Sequence, residues 1–309
     1  MKKYSFTMFQ YSLMLLAAVL FLASCSSGGG KGQTGEPEEV VVDISQLDSD
    51  FLEDIGEVKK IFYSLPSPLE TAMMIRSAGA VYNEDLLNPL DNAGNYTTTK
   101  SLALNLGSYT CDLSFASLYD QTSASIDYMN AAKKMADGLG ILDAINDETI
   151  ERLEENINNR DIIMEIISDT FMNSSSYLQE NNRANVAAIV LVGGWMEGLF
   201  LATQMVDEDS LQDNSLVTRI MDQKMSLEIV VKLLEESMDS PDVQSVMEDV
   251  KNLKATFDKV TLTTTPIVTS VDEETNVTTL KSKTQSSLNS EIFLELKDKV
   301  EIIRNKYIS

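Results

Sequence analysis

The chain contains no histidine. That removes the commonest general base, the commonest zinc ligand and every Ser-His-Asp or Cys-His arrangement. Cysteine occurs twice, at Cys25 and Cys111. Basic residues are scarce: 24 Lys and Arg stand against 48 Asp and Glu, a formal net charge of −24. A surface this acidic repels phosphate backbones and anionic head groups, which argues against nucleic-acid binding. It leaves open cations, cationic peptides and neutral glycans, and acidity also serves solubility by itself. No Walker lysine motif, no G-x-G-x-x-G and no metal-type cysteine pair occurs, so no cofactor or metal is expected. The 309 residues, 43% of them hydrophobic, suffice for one sizeable core or two small ones.

The first segment is basic at Lys2 and Lys3, apolar from Tyr11 to Ala23, and ends in Leu22-Ala23-Ser24-Cys25. A short charged start, a short apolar run and small residues before a cut mark a secretory signal over residues 1–24. The last four residues match the lipobox, and this start resembles that of bacterial lipoproteins. The resemblance implies cleavage after Ser24, a diacylglycerol thioether on Cys25 and acylation of the new amine; the bilayer is then a partner through Cys25. Several acyl chains anchor stably where one is marginal. Position 26 is Ser, not Asp, which in such lipoproteins favours the outer membrane. Ser26 to Gly32 lack the acids that some bacterial groups use for export to the surface, so a periplasm-facing orientation is expected. A simple secretory signal is the alternative. Residues 25–48 read as a lipidated flexible tether rich in Gly, Ser and Glu; about 24 residues of such coil reach roughly 27 Å. If Cys25 is acylated, Cys111 is alone and no intrachain disulfide can form.

From residue 49 to 309 the pattern is helical almost throughout, which predicts a single all-α domain, a multi-helix bundle of about nine helices. Phe51, Ile55, Val58, Phe62 and Leu65 form one stripe, ended by Pro66. Ser67-Pro68-Leu69-Glu70 is a helix start with N-cap, N1 and N3 signals in register. Further helices are expected over 100–118, 122–137, 148–180 with a break near Asn158-Asn159, 216–238, 241–261 and 290–307. Thr261–Ser287, rich in Thr, Val and Ser, reads as one short β-hairpin or a loop near 263–287.

Asn185–Val206 reads NVAAIVLVGGWMEGLFLATQMV and is the most apolar run of the body, holding the one tryptophan, Trp195. Its length suits a membrane span. Glu197 near the middle, no Lys/Arg cluster at either end and an anchor elsewhere favour a buried central helix instead. Ala187, Gly194, Gly198 and Ala202 line one narrow strip, where another backbone can come close. Aligned without gaps, Leu106–Ser117 and Val192–Thr203 share Gly-x-aromatic-x-x-x-Leu-x-x-Ala-Ser/Thr. This reads as a duplicated three-helix unit, roughly 67–145 and 153–238, whose two central helices pack near a pseudo-twofold axis; convergence of two core helices is the alternative. Cys111 is then a buried small hydrophobe.

Asp112 and Glu197 lie on these central helices, with Tyr109 and Trp195 about one turn away. Two carboxylates in a bundle suggest an acid/base pair or a ligand pocket formed by Tyr109, Asp112, Trp195 and Glu197. More often such residues are helix-surface acids or partners of Lys and Arg. The acidic loop Asp207–Asn214 fails the EF-hand template, since Leu211 takes an acid position, no Gly sits at the turn and position twelve is Thr218. The body resembles uncharacterised, mostly helical lipoproteins of Gram-negative envelopes. No named activity attaches to that group, and the first expectation is a non-enzymatic envelope protein that binds a protein, small-molecule or glycan partner or acts as an accessory subunit. The alternative is a carboxylate-dependent enzyme, for example one that cleaves glycans. An open cleft holding the four residues would favour the enzyme; solvent-facing or salt-bridged acids would not.

Overall fold

The computed structural model describes residues 68–142, 145, 147–156, 159–207, 211, 214–264, 268–271, 278–281 and 284–309. The signal segment, the tether with Cys25 and the stripe Phe51–Leu65 lie outside the described residues.

The fold is an all-α, multi-helix one, with nine α-helices among the described residues. They are α1 (Pro68–Ser77), α2 (Thr99–Leu118), α3 (Thr122–Gly138), α4 (Asp147–Glu155), α5 (Arg160–Glu180), α6 (Ala184–Gln204), α7 (Ser215–Glu235), α8 (Pro241–Phe257) and α9 (Ser290–Tyr307). Their ends follow local chemistry. Thr98 and Ser101 form a capping box at the start of α2. Asn159 caps α5, Asn214 caps α7 and Asn289 caps α9 through their side-chain oxygens. Pro241 occupies the first turn of α8, where its missing N–H costs nothing. Past α3 the chain turns at Gly140, whose φ of +66° suits a residue without Cβ. Between α1 and α2, Glu84–Leu86 and Leu90–Gly94 form two 3-10 turns. Between α8 and α9, the strands β1 (Leu262–Thr264), β2 (Val268–Val271), β3 (Thr278–Lys281) and β4 (Thr284–Ser286) form two short antiparallel pairs, β1 with β4 and β2 with β3.

The helices are arranged around α6. Every residue from Val186 to Thr203 is buried, because α1, α2, α5, α7, α8 and α9 all pack against it. An apolar helix that faces neighbours on all sides has no polar stripe to present to water. It is the one described helix long and apolar enough to cross a membrane, and its most apolar window is wholly covered by protein. The second core helix, α2, is buried from Leu102 to Leu118 and lies along α6 more extensively than any other element.

Two glycines make that approach possible. A Cβ on Gly107 would stand 2.0 Å from the carbonyl oxygen of Val190 and 2.4 Å from the amide nitrogen of Gly194. A Cβ on Gly193 would stand 2.1 Å from the carbonyl oxygen of Leu104. The contacts are reciprocal: the offset that carries Gly107 to Gly193 also carries Leu104 to Val190. Such exchange of roles is what a twofold axis produces. The tightest crossing thus runs through Gly193. Of the strip expected from spacing, Gly194 meets Pro68 and the Gly107 carbonyl, and Gly198 meets the methyl group of Thr71.

Candidate functional site

Glu197, in the middle of α6, is 1% exposed. A carboxylate there is tolerated only if it is paired and hydrogen-bonded. Arg304, one turn beyond Val300 on the inward stripe of α9, supplies the charge. Its Nη2 donates to Glu197 Oε1 at 2.7 Å, and its Nε donates to Oε2 at 3.0 Å and to Oε1 at 3.2 Å. Ser108 Oγ on α2 donates to Oε2 at 2.8 Å. The guanidinium also donates to the Leu86 carbonyl at 3.1 Å and lies 4.4 Å from the centre of the Phe200 ring. The fork geometry of arginine suits this task, serving two carboxylate oxygens, a carbonyl and a ring face together.

Asp112, on α2, is fully buried beside this pair. Its Oδ2 accepts the backbone N–H of Asn88 at 3.0 Å, and its Oδ1 has no partner among the described residues. Burial, and then the nearby Glu197 charge, hold its carboxyl well above the usual carboxylate range, against the opposing pull of Arg304 and the Asn88 N–H. Asn88 comes from the loop between the two 3-10 turns and is itself fully buried. Its side chain donates to Asn105 Oδ1 at 2.9 Å and to Ser108 Oγ at 3.3 Å. Asn105 in turn donates to the Tyr307 carbonyl at 2.9 Å, and the Tyr96 hydroxyl donates to the Ile308 carbonyl at 2.9 Å. One polar network therefore ties α2, α6, the 3-10 loop and the end of α9 together.

The four residues singled out from sequence do not form a cleft. Tyr109 is fully buried and donates to the Pro89 carbonyl at 3.1 Å; burial pushes its phenol far up. Trp195, 3% exposed, donates from Nε1 to Gln223 Oε1 on α7 at 3.0 Å, outside the network around Glu197. None of the four lines either of the two described pockets. Glu197 is neutralised by Arg304, and Asp112 is sealed from solvent. A hydrolytic acid/base pair needs room for substrate and water between the carboxyls, and these two have neither. Cys111, the expected buried hydrophobe, is fully buried, and burial pushes its thiol up.

Sequence reasoning missed Arg304, Asn88, Asn105 and Ser108. Arg304 had a signal: Leu296, Val300 and Arg304 recur at four-residue spacing, so a charge sits on an apolar stripe. Asn88 had none beyond a turn dipeptide with Pro89.

The larger pocket lies between α2, α3 and α5, with Val190 of α6 and Leu153 of α4 at its walls. Its cavity volume is about 70 Å³. Among the described residues its lining is mainly aliphatic, with Phe171 and no acid, and Lys133 is the one charged residue. Thr110 and Thr170 also line it, and their hydroxyls are bonded to the backbone of their own helices. Ser174 lines it too, is 8% exposed, and its Oγ has no hydrogen-bond partner among the described residues.

No protein-family model, no curated protein and no solved structure matches the chain.

Proposed function

We propose that the chain is an outer-membrane lipoprotein, anchored through acylated Cys25 and facing the periplasm, whose helical domain is a non-enzymatic binding or accessory protein. The observation that carries the binding reading is how the polar and apolar groups are divided. The carboxylates of the two central helices are bound by Arg304, Ser108 and Asn88 and serve the core. Among the described residues, the lining of the larger pocket is acid-free and mainly apolar, the composition of a ligand site rather than a catalytic one. Among the described residues, no cleft opens at Asp112 and Glu197 for the carboxylate-enzyme alternative. The anchor rests on the lipobox at Leu22–Cys25 and the tether that follows. The duplication of a three-helix unit, which we also propose, is supported by the reciprocal contacts at Gly107 and Gly193.

The test is metabolic labelling with palmitate in the native envelope. Wild type takes the label and Cys25→Ala loses it; label kept by Cys25→Ala overturns the anchor. Protease added to intact cells should leave the protein whole and should cut it once the outer membrane is permeabilised. Digestion in intact cells would put the domain on the outer surface instead.

A further inference from the structure

Residues 83–96, between α1 and α2, are built from two short 3-10 turns and contain no α-helix. Glu84, Asp85, Pro89, Leu90 and Asp91 are exposed, while Leu87 and Asn88 are buried. A thin segment of this kind opens at lower cost than a packed helix. It carries Glu84, Asp85 and Asp91 and no base. Arg304 of α9 donates to its Leu86 carbonyl, and Lys134 of α3 lies near Gly94. Beneath the segment is Asp112. The Asn88 N–H reaches Asp112 Oδ2 at 3.0 Å, and Oδ1 has no partner among the described residues. The titratable groups around this carboxyl are Glu197 on α6, Arg304 on α9, Tyr128 on α3, Tyr109 and Cys111 on α2, and Tyr82 and Glu84 at the start of the segment. Arg304 is the one cation among them, and its Nε and Nη2 are both committed to Glu197. Asp112 is therefore a fully buried acid without a counter-ion of its own.

We propose that residues 83–96 are a pH-driven lid: closed, the segment keeps the proton on Asp112; lifted, it lets water reach the carboxyl, which gives that proton to solvent. In the closed form burial, and then the Glu197 charge, favour the neutral acid. In water an aspartic acid releases its proton near pH 4. Opening thus releases one proton. The ratio of open to closed lid rises about tenfold per pH unit above that value, until the closed carboxyl itself ionises. Closure is fully supported below about pH 4 and is lost as pH rises. Glu197 keeps Arg304 and Ser108 in both forms and adds no proton. Burial holds Tyr82, Tyr109, Tyr128 and Cys111 above their ordinary ranges, so they stay protonated below about pH 8. The bonds that shut the lid are to neutral partners: Asn88 to Asn105 and Ser108, Tyr109 to the Pro89 carbonyl, and Asn92 and Tyr96 to the Ile308 carbonyl. They set the basal cost of opening, and Asp112 sets its slope with pH. Lifting the lid uncovers a polar recess of Asp112, Asn105 and Ser108 with Glu197 behind it, closed in acid and available in alkali.

The experiment is hydrogen exchange of the full chain in detergent micelles, from about pH 5 to about pH 8, corrected for the chemical exchange rate at each pH. Peptides from residues 83–96 are compared with peptides from α6. The amides of Leu87, Asn88, Asn92 and Asn95 are hydrogen-bonded in the closed lid and report its opening. In wild type the opening ratio should rise at least tenfold over this range. Urea well below the unfolding midpoint should leave it unchanged, because a local opening exposes little surface. Asp112→Asn keeps the size and removes the proton, so it should flatten the slope. Tyr109→Phe loses the bond to the Pro89 carbonyl. It should open the lid about fivefold more at every pH, with the wild-type slope kept. A wild-type rise below tenfold, or an equal rise in Asp112→Asn, overturns the proposal. Exchange of residues 83–96 and α6 together, with one urea dependence, also overturns it, since the proton would then report global unfolding. A Tyr109→Phe lid no more open than wild type overturns the segment as the moving part. The wild-type slope and its urea dependence need no variant, so they decide the matter even where a variant fails to fold.

Discussion

Replacing Glu197 by Gln removes one charge and almost no volume, so its effect isolates the electrostatics of the core. Arg304 side-chain exposure is 7% and that of Glu197 is 1%, at a separation of 2.7 Å. After Glu197→Gln the guanidinium keeps the Leu86 carbonyl and an amide oxygen but has no counter-charge. A buried charge left without its partner costs about 3–5 kcal/mol. The reading is urea unfolding followed by Trp195 fluorescence, since Trp195 is the chain's one tryptophan and lies two residues away. With a urea slope of about 2–3 kcal/mol per M, the midpoint should fall by about 1–2 M. The double variant Glu197→Met, Arg304→Met should recover most of that loss, because an apolar pair of similar volume avoids desolvating two charges. Lys254 and Glu228 are a matched control: they also stand 2.7 Å apart, but with side-chain exposures of 26% and 51%. Breaking that pair by Glu228→Gln should cost less than about 1 kcal/mol. If Glu197→Gln costs no more than Glu228→Gln, or the double variant is worse than either single, the account of a sealed ion pair at the centre of the fold is refuted.

Three further outcomes are expected. Asp112→Asn should be nearly neutral below about pH 4, where the unfolded carboxyl is also protonated, and increasingly favourable relative to wild type as pH rises above that. The folded pKa of Asp112 lies above its unfolded value, so its contribution is full below the unfolded pKa and is lost as pH climbs through the folded one; a relative stability that falls with rising pH, read from paired urea curves, contradicts this. Gly107→Ala and Gly193→Ala should each cost about 3 kcal/mol or more, or prevent folding, because the added carbon meets backbone of the facing helix. Gly94→Ala, whose nearest neighbour would be Lys134 Nζ at 3.8 Å, should change stability by less than about 0.5 kcal/mol; circular dichroism melting compares them. Cys111 in the folded chain should resist iodoacetamide and react on unfolding, since its thiol is fully buried and held protonated by burial and by the neighbouring Asp112 and Glu197; mass spectrometry after timed alkylation reads the difference.

Helices were legible where periodicity and capping agree. The start of α8 at Ser240-Pro241, the break at Asn159 and the span of α9 follow from side chains within a few residues of each boundary. Burial of Asn185–Val206 was legible from its composition. Tertiary pairing was not. Nothing near Glu197 announces that its counter-ion lies on α9, and Asn88 enters the core only because the 3-10 turns fold its loop inward. The strip of small residues was readable as a close helix contact, yet its exact phase depends on the crossing angle, which placed Gly193 against Leu104 and left Gly198 to Thr71. The pocket draws on five helices and has no linear signature at all.

The partnership of Glu197 with Arg304 spans 107 positions of sequence. A chain made at about 5–20 residues per second therefore carries α6 with an unneutralised acid for roughly 5–20 s after Glu197 emerges. During that interval α2 and α6 cannot close together in their final form without burying the acid alone, so the core has to wait for α9. Closure at such range is also slow in its own right. For a protein exported in the unfolded state, as the lipobox reading requires, this delay keeps the chain threadable until synthesis is nearly done. The arginine that neutralises the centre thus also sets when the centre can form.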